Sequence, residues 1–319
     1  MGNLLIIFFV FSATLLAEVP LNLINGSYSG TDPLNRAVDN NETNSSTCNN
    51  NLHRLRSYEN SYVGYRGDST NDLHHADIKL SMLQDIVRLD YFRPEYDANL
   101  AFAFTGEYSF YLLQDGFSRP VIPTRQNPLL TIYGQLGSHH VWQIIPFAHE
   151  SNGQSINSEI AYRNADKNTR DQQVSISWNY SELGYLYVDS GYSLGLSARS
   201  YLFNDEAEEY FEFLGDKPFV RRKYSDTYSI RFQYEKNYRS LNKSKIAKRG
   251  YRATVHTKFG VPDENGDVHG SVRVELGIRP KSFHTTFVGW VHHGYNLTPV
   301  QYNTYEDFVV GGYLEFLIN

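Results

Sequence analysis

Strict alternation of apolar and polar residues is the feature that most constrains the fold of this chain. In residues 272–279 (VRVELGIR), apolar side chains take every even position, while arginine, glutamate and glycine take the odd positions. Residues 76–82, 174–180, 251–259 and 308–318 repeat this period of two. Because successive side chains of a β-strand point to opposite faces, the pattern predicts a sheet with one apolar face.

Such a sheet can belong to a secreted soluble sandwich, which buries the apolar face, or to a membrane barrel, which turns that face to lipid. The alternating segments reach about ten residues or more, the length that a tilted strand needs to cross a bilayer. Aromatic residues near the predicted strand ends match the girdles of membrane barrels: Tyr224, Tyr234, Phe259, Tyr295, Phe308 and Phe316. Both features favour the barrel.

Residues 53–319 hold twelve strand candidates, and an even number of antiparallel strands closes a bacterial barrel. The sequence therefore predicts an all-β fold, a 12-stranded antiparallel transmembrane β-barrel. The predicted strands are 53–65, 74–83, 99–112, 128–137, 140–150, 171–181, 190–203, 222–237, 247–260, 269–280, 284–296 and 306–318.

The first 52 residues predict export. The apolar run 4–16 has the length of a signal-peptide core, so residues 1–17 are interpreted as a signal peptide. Residues 18–52 are polar, lack periodicity and are interpreted as a disordered leader. The single cysteine, Cys48, has no partner in the chain. A net charge of −6 without a long basic block argues against nucleic-acid binding.

The segment His149-Glu150-Ser151 places a general base and a hydroxyl two residues apart on a predicted strand. These two side chains share one face, roughly 6 to 7 Å apart along the strand. A serine becomes a nucleophile when a histidine takes its proton and a third group orients that histidine. Glu150 points to the other face, so the third group must come from elsewhere. Candidates downstream are Asn157, Glu159, Asn164 and Asp166.

Two blocks give the chain a family resemblance. The first is His149-x-Ser151-Asn152-Gly153-Gln154, followed by Ser158 and Tyr162-Arg163-Asn164. The second is Ser118-Arg119-Pro120, followed by Asn127-Pro128 and an apolar strand. Together they resemble the outer-membrane phospholipase A family, which has His-x-Ser-Asn-Gly, then a Ser-Arg-Ser-Trp-Asn-type segment, and a Ser-x-Pro-Phe block.

The resemblance implies a catalytic set in which Ser151 is the nucleophile, His149 the base and Asn164 the group that orients His149. It also implies that the Gly153 N–H forms part of an oxyanion hole. Strict counting puts the family's asparagine on Arg163, and a one-residue loop insertion moves it to Asn164.

The resemblance further implies a Ca²⁺ site, because Ca²⁺ takes oxygen ligands. The implied ligands are the Gln154 carbonyl, Ser118 from a partner subunit, Ser158 and Asp205. Strict counting puts the calcium serine on Glu159, and the same insertion moves it to Ser158.

The resulting hypothesis is a calcium-dependent serine hydrolase that cleaves acyl esters of phospholipids and lysophospholipids in a bacterial outer membrane containing lipopolysaccharide (LPS). The family implies a homodimer when active. His149 and Ser151 share parity with Val141, Ile145 and Phe147, which predicts an active face on the lipid side of the wall.

The main alternative is a non-enzymatic channel or structural barrel. In that case the predicted lumen charges would conduct ions or plug the pore. They are Arg231, Arg252, Arg273, Glu275, Arg279 and Glu315.

Overall fold

The computed structural model describes residues 55–56, 58–68, 73–88, 97–112, 122–136, 139–153, 156, 158–165, 175–189, 191–202, 220–236, 249–281, 283, 285–295 and 305–316. The predicted signal peptide, the leader and Cys48 lie outside these residues. Among the described residues, no helix is both long and apolar enough to cross a membrane.

Twelve long strands, β2–β13, form a closed antiparallel barrel in the described part of the chain, as the sequence predicts. Each strand pairs with the next along the chain, and β13 closes the barrel on β2. A two-residue strand, β1 (Leu55–Arg56), pairs with β3. The barrel strands are β2 (Ser61–Asp68), β3 (Leu73–Arg88), β4 (Asp97–Leu112), β5 (Ile122–Leu136), β6 (His140–Ser151), β7 (Ser177–Asp189), β8 (Tyr192–Tyr201), β9 (Tyr228–Lys236), β10 (Gly250–Phe259), β11 (Gly270–Arg279), β12 (Thr286–Gly294) and β13 (Glu306–Phe316).

The two faces of the wall have the polarity of a membrane barrel. Outward apolar side chains are exposed, such as Leu276 (62%) and Phe287 (52%). Inward charged side chains on neighbouring strands are almost fully buried, such as Arg252, Arg279 and Glu315, each 2% exposed. A water-soluble sandwich would have the opposite distribution, so this arrangement favours the membrane barrel.

Ion pairs cross the interior of the barrel. A connected set, here called the interior network, joins five acidic and five basic side chains, so its formal charges balance. Its members are Glu59, Glu107, Glu150, Glu182, Asp226, Lys79, Arg125, Arg199, Arg222 and Lys258. The network runs from Lys79 on β3 to Lys258 on β10.

Residues 220–227, here called the inward segment, supply two members of the interior network. This segment contains a short 3-10 helix, Arg222–Tyr224, and precedes β9. Ser225 is fully buried, and Asp226 is 4% exposed. The segment therefore folds into the mouth of the barrel.

A second group of paired charges lies between β10, β11 and β13. Arg252 contacts Glu315 at 3.0 Å and Glu275 at 3.4 Å, and Arg273 contacts Glu275 at 2.9 Å. The predicted lumen position of these four residues is therefore correct, and the structure adds that they pair with each other.

Candidate active site at the end of strand β6

A β-bulge decides which residues of β6 face lipid. Val141 and Ile145 are buried, and the register of β6 shifts between residues 144 and 147 relative to β5 and between residues 145 and 148 relative to β7. Pro146 lies in the shifted stretch and is exposed. A proline has no N–H for the ladder, and a bulge is one of the few places where a strand accepts it.

Beyond the bulge, the odd-numbered residues of β6 face outward. Phe147 is 48% exposed, His149 and Ser151 are half-buried, and Glu150 between them is fully buried. The prediction that His149 and Ser151 share a face with Val141 and Ile145 is therefore wrong, because the extra residue inverts the alternation. His149 and Ser151 nevertheless lie on the outer face with Phe147.

Asn179 on β7 is the hydrogen-bond partner of the His149 ring. The two residues are directly opposite in the β6–β7 ladder, and His149 Nδ1 lies 3.0 Å from Asn179 Oδ1. An amide oxygen can only accept, so in this contact Nδ1 carries the proton and donates it. The other ring nitrogen, Nε2, then keeps its lone pair and can act as a base.

Asn164, the residue expected in this role, lies elsewhere. It is the exposed last residue of a short helix, α1 (Glu159–Asn164), in the connection between β6 and β7. Ser158 caps this helix by accepting a hydrogen bond from the Ala161 N–H at 3.3 Å. The structure thus places Asn179, and not Asn164, beside the His149 ring.

The sequence contains a motif that points to Asn179, but counting residues along the chain from His149 does not find it. Residues 175–179 read Ser-Ile-Ser-Trp-Asn, which matches the family's Ser-Arg-Ser-Trp-Asn segment better than residues around 164 do. The connection between the two motifs is simply longer than a one-residue insertion. On this match the family's first serine, four residues before its asparagine, corresponds to Ser175 instead of Ser158.

Strand β7 also turns polar side chains outward at this point. Trp178 and Tyr180 are buried on the inner face, at 4% and 1% exposure, while Ser177 and Asn179 lie on the outer face. Polar side chains are costly next to lipid, so their place on the outer face, with aromatic side chains on the inner face, indicates a functional site.

The hydrogen bonds among the described residues do not include one between Ser151 and His149. Their common face and spacing still allow the contact, and catalytic hydrogen bonds are often long without substrate.

The turn after Ser151 is fixed by backbone bonds across the β6–β7 connection. The Asn152 N–H donates to Ile176 O at 3.1 Å, and the Ile176 N–H donates to Asn152 Oδ1 at 2.8 Å. Asn152 is fully buried, and Gly153 follows with a φ of 59°. This left-handed conformation favours glycine at the position after Asn152.

The expected calcium ligands are only partly within the described residues. Ser118, Gln154 and Asp205 lie outside them, and Ser158 is exposed at the start of α1. Ser175 is half-buried, and its N–H donates to Ile156 O at 2.7 Å. No cluster of three or more histidine, cysteine or acidic residues suited to a metal occurs in the described ranges.

Apolar side chains and one amide surround the site on the outer wall. Gln126 on β5 is directly opposite Ser151, and Leu130 is opposite Phe147. Leu130 is 38% exposed. The surface beside the nucleophile thus combines an amide with apolar side chains.

The site lies at the end of the barrel that has the longer connections. At this end, residues 152–176 connect β6 to β7, and residues 202–227 connect β8 to β9. At the other end, residues 137–139 connect β5 to β6, and residues 190–191 connect β7 to β8. In outer-membrane barrels the longer loops are extracellular.

The fold defines a class, that of outer-membrane β-barrels. No family model matches the sequence, and no curated protein matches it. Among solved structures, the chain is similar to outer membrane phospholipase A from Escherichia coli, with a TM-score of 0.57 and 15% identity over 83% of this chain and 98% of that chain. An active-site mutant of that protein, in which an asparagine is replaced by alanine, gives a TM-score of 0.58 and 14% identity over 86% and 95% of the two chains.

The Salmonella typhi outer membrane phospholipase dimer with bound calcium is similar to the same degree. Its TM-score is 0.58, with 15% identity over 84% of this chain and 94% of that chain. At these identities the likeness establishes the shared barrel fold.

Proposed function

We propose that this chain is a serine hydrolase that cleaves acyl esters of phospholipids and lysophospholipids at the outer face of its barrel. The observation that carries the proposal is the outward-facing set of Ser151, His149 and Asn179, in which the His149 ring is held by Asn179 at 3.0 Å. A nucleophile, a base and a group that orients the base are the minimum for acyl transfer.

In the proposed reaction, the Ser151 hydroxyl attacks the ester carbonyl while His149 Nε2 takes its proton. The tetrahedral intermediate collapses when His149 returns that proton to the leaving alcohol, and the acyl group remains on Ser151. Water then attacks the acyl-enzyme by the same route and releases the fatty acid. The Gly153 N–H would donate to the oxyanion.

Asn179 is a neutral orienting group. It fixes the tautomer of His149 but adds no negative charge to stabilise the imidazolium, so we expect a slower enzyme than one with a carboxylate in this place.

A lipid substrate suits the position of the site. The nucleophile faces the bilayer side of the wall, beside the exposed Phe147 and Leu130. The long-connection end would place it at the outer leaflet of a bacterial outer membrane, and residues 1–17 would direct export.

Calcium and dimerisation enter by analogy. The Salmonella typhi protein is a dimer with bound calcium, and we propose both for this chain. Calcium would polarise the ester oxygen or a bound water. Its ligands would be the Gln154 carbonyl, Ser175 in place of Ser158, Asp205, and Ser118 of the partner subunit.

Fatty-acid release from phosphatidylcholine in detergent micelles tests the proposal. The parent should release fatty acid in the presence of Ca²⁺, and Ser151→Ala should release none above background. Thr257→Ala is a control, because Thr257 has the outward parity of the exposed Val255 on β10, four strands away from β6. Equal activity of Ser151→Ala and the parent would refute the assignment.

A channel is disfavoured by the paired lumen charges. The interior network spans strands from β3 to β10, and its formal charges balance. Such pairs plug a lumen more readily than they conduct ions. Stable single-channel conductance in planar bilayers would support the channel instead.

A further inference from the structure

We infer that Glu150, Arg222 and Trp178 form a clamp on the inner face of the wall that positions the nucleophile and the group orienting its base. The inference rests on the proposed function and goes beyond it, because none of these three residues faces the substrate. They act as positioning residues through the backbone of β6 and β7.

Glu150 is the inner-face residue between the two outward residues of the site on β6. It is fully buried and pairs with two arginines, at 3.2 Å to Arg125 and 2.5 Å to Arg222. Because adjacent residues of a strand share the backbone between them, fixing Glu150 also fixes His149 and Ser151.

Trp178 has the same relation to Asn179. It is directly opposite Glu150 in the ladder and is 4% exposed. The Arg222 guanidinium stacks 4.3 Å from the centre of the Trp178 ring. A single arginine therefore contacts both strands, through a charge on β6 and an aromatic face on β7.

Arg222 is itself held by the inward segment. Its guanidinium lies 3.1 Å from Asp226, which also pairs with Lys258 at 2.9 Å. Burial alone raises the pKa of Asp226, but Lys258, Arg199 and Arg222 outweigh it and hold that pKa well below its usual range. Asp226 thus stays charged and anchors Arg222.

The backbone of the inward segment also rests against the end of β10. The Val261 N–H donates to Lys223 O at 3.2 Å, and the Thr227 N–H donates to Phe259 O at 3.1 Å. The inward segment consequently connects the strand ends that carry the site to the end of β10, three strands from β7.

A second backbone support acts on His149 from β5. Asn127 is 1% exposed, and its side-chain amide donates to His149 O at 3.0 Å and to the Tyr180 hydroxyl at 3.0 Å. The strand end that carries the site is thus held from the inner face on both sides.

The clamp is needed because the β6 ladder is interrupted close to the site. The register shifts within residues 144–148, a few residues before His149, and β6 ends at Ser151, two residues after it. A buried ion pair contributes little net stability compared with apolar packing. A positioning role accounts for placing one here.

The test compares two conservative changes of buried arginines. Arg222→Lys keeps a positive charge, but it loses the planar contact with Trp178 and the second nitrogen donor of the guanidinium group. Arg252→Lys is the matched control, because Arg252 is equally buried in the other ion-pair group. Trp178→Phe retains an aromatic face for Arg222, whereas Trp178→Leu removes it.

Kinetics in micelles should separate the variants. We expect Arg222→Lys and Trp178→Leu to lower kcat about 10- to 100-fold, the effect of a displacement of about 1 Å, with KM within about 2-fold. Trp178→Phe and Arg252→Lys should stay within about 3-fold of the parent, even where the thermal midpoint falls. Equal kcat losses in Arg222→Lys and Arg252→Lys would overturn the inference.

Amide hydrogen exchange gives a readout that does not require activity. In Arg222→Lys, exchange should accelerate at residues 149–153 and 177–179, and in Arg252→Lys it should not. Unchanged exchange at both strand ends would also refute the clamp. An inactive parent with the expected exchange would refute the proposed function and leave the clamp supported.

Discussion

Replacing Asn179 tests the assignment on which the proposed mechanism most depends. Asn179→Ala removes the acceptor that lies 3.0 Å from His149 Nδ1. A neutral hydrogen bond contributes about 0.5–1.5 kcal/mol net. At about 1.4 kcal/mol per tenfold, this loss alone lowers kcat about 2- to 10-fold. The freed ring can also rotate or exchange tautomers, so we expect a total loss of about 10- to 100-fold.

The comparison variant is Asn164→Ala, which removes the same side chain at the end of α1. Its kcat should match the parent. Asn179→Asp should retain more activity than Asn179→Ala, because a carboxylate still accepts from Nδ1 and also stabilises the imidazolium. All three variants are assayed for initial rates of fatty-acid release, with separate kcat and KM.

Two results would refute the reasoning. The first is a parent-like kcat in Asn179→Ala. The second is a loss in Asn164→Ala as large as that in Asn179→Ala, which would return the orienting role to the helix. Thermal unfolding of each variant serves as the control for folding.

Three further predictions concern metal, acid and packing. Chelation should abolish fatty-acid release, and Ca²⁺ should restore it. Ser175→Ala should raise the Ca²⁺ concentration needed for half-activity more than Ser158→Ala does, and a larger effect of Ser158→Ala would favour Ser158 as the ligand. The pKa of Asp226 is lowered in the folded state, so the stability that its charge contributes is present above the unfolded pKa of about 4 and is lost as the pH falls. Between pH 7 and pH 3, the thermal midpoint should therefore fall less steeply in Asp226→Asn than in the parent. Gly260→Ala should destabilise by about 1–3 kcal/mol, because a Cβ there would lie 1.8 Å from the Tyr224 carbonyl carbon, whereas Gly289→Ala has nothing within 4 Å and should be tolerated in thermal unfolding.

The barrel could be predicted from the sequence because its physics is local. Period-two alternation assigns each residue to one face, and residues 272–279 have the predicted faces, with Leu276 and Ile278 exposed and Arg279 buried. The strand count follows from the same pattern. The interior network could not be predicted, because alternation says which side chains face inward but not which of them meet across the lumen.

The position of the inward segment inside the barrel could not be predicted from the sequence either. The alternation predicts a strand over residues 222–237, but residues 222–224 form a 3-10 helix and the strand begins only at Tyr228. Val220 is buried, and Arg222 and Asp226 enter the barrel. A short stretch with mixed charges looks solvated when its partners, on distant strands, are unknown.

The third member of the site was misplaced because spacing was counted along the chain. The connection between β6 and β7 can vary in length without moving His149 or Asn179, since these residues are opposite each other in the ladder. In a sheet, cross-strand register decides which residues meet, whereas loop length has little effect. The Ser-x-Ser-Trp-Asn residues 175–179 were therefore a better guide than the distance from His149.

Pro146 is the sequence feature that explains which face of β6 bears His149 and Ser151. A proline inside a strand is found mostly at a bulge or an unpaired edge, and a bulge adds one residue and so exchanges the two faces beyond it. Applied to β6, this rule separates the buried Val141 and Ile145 from the outward His149 and Ser151. The interrupted ladder is also the reason for proposing the clamp, because inner-face contacts such as that of Glu150 with Arg222 would then hold the position of Ser151.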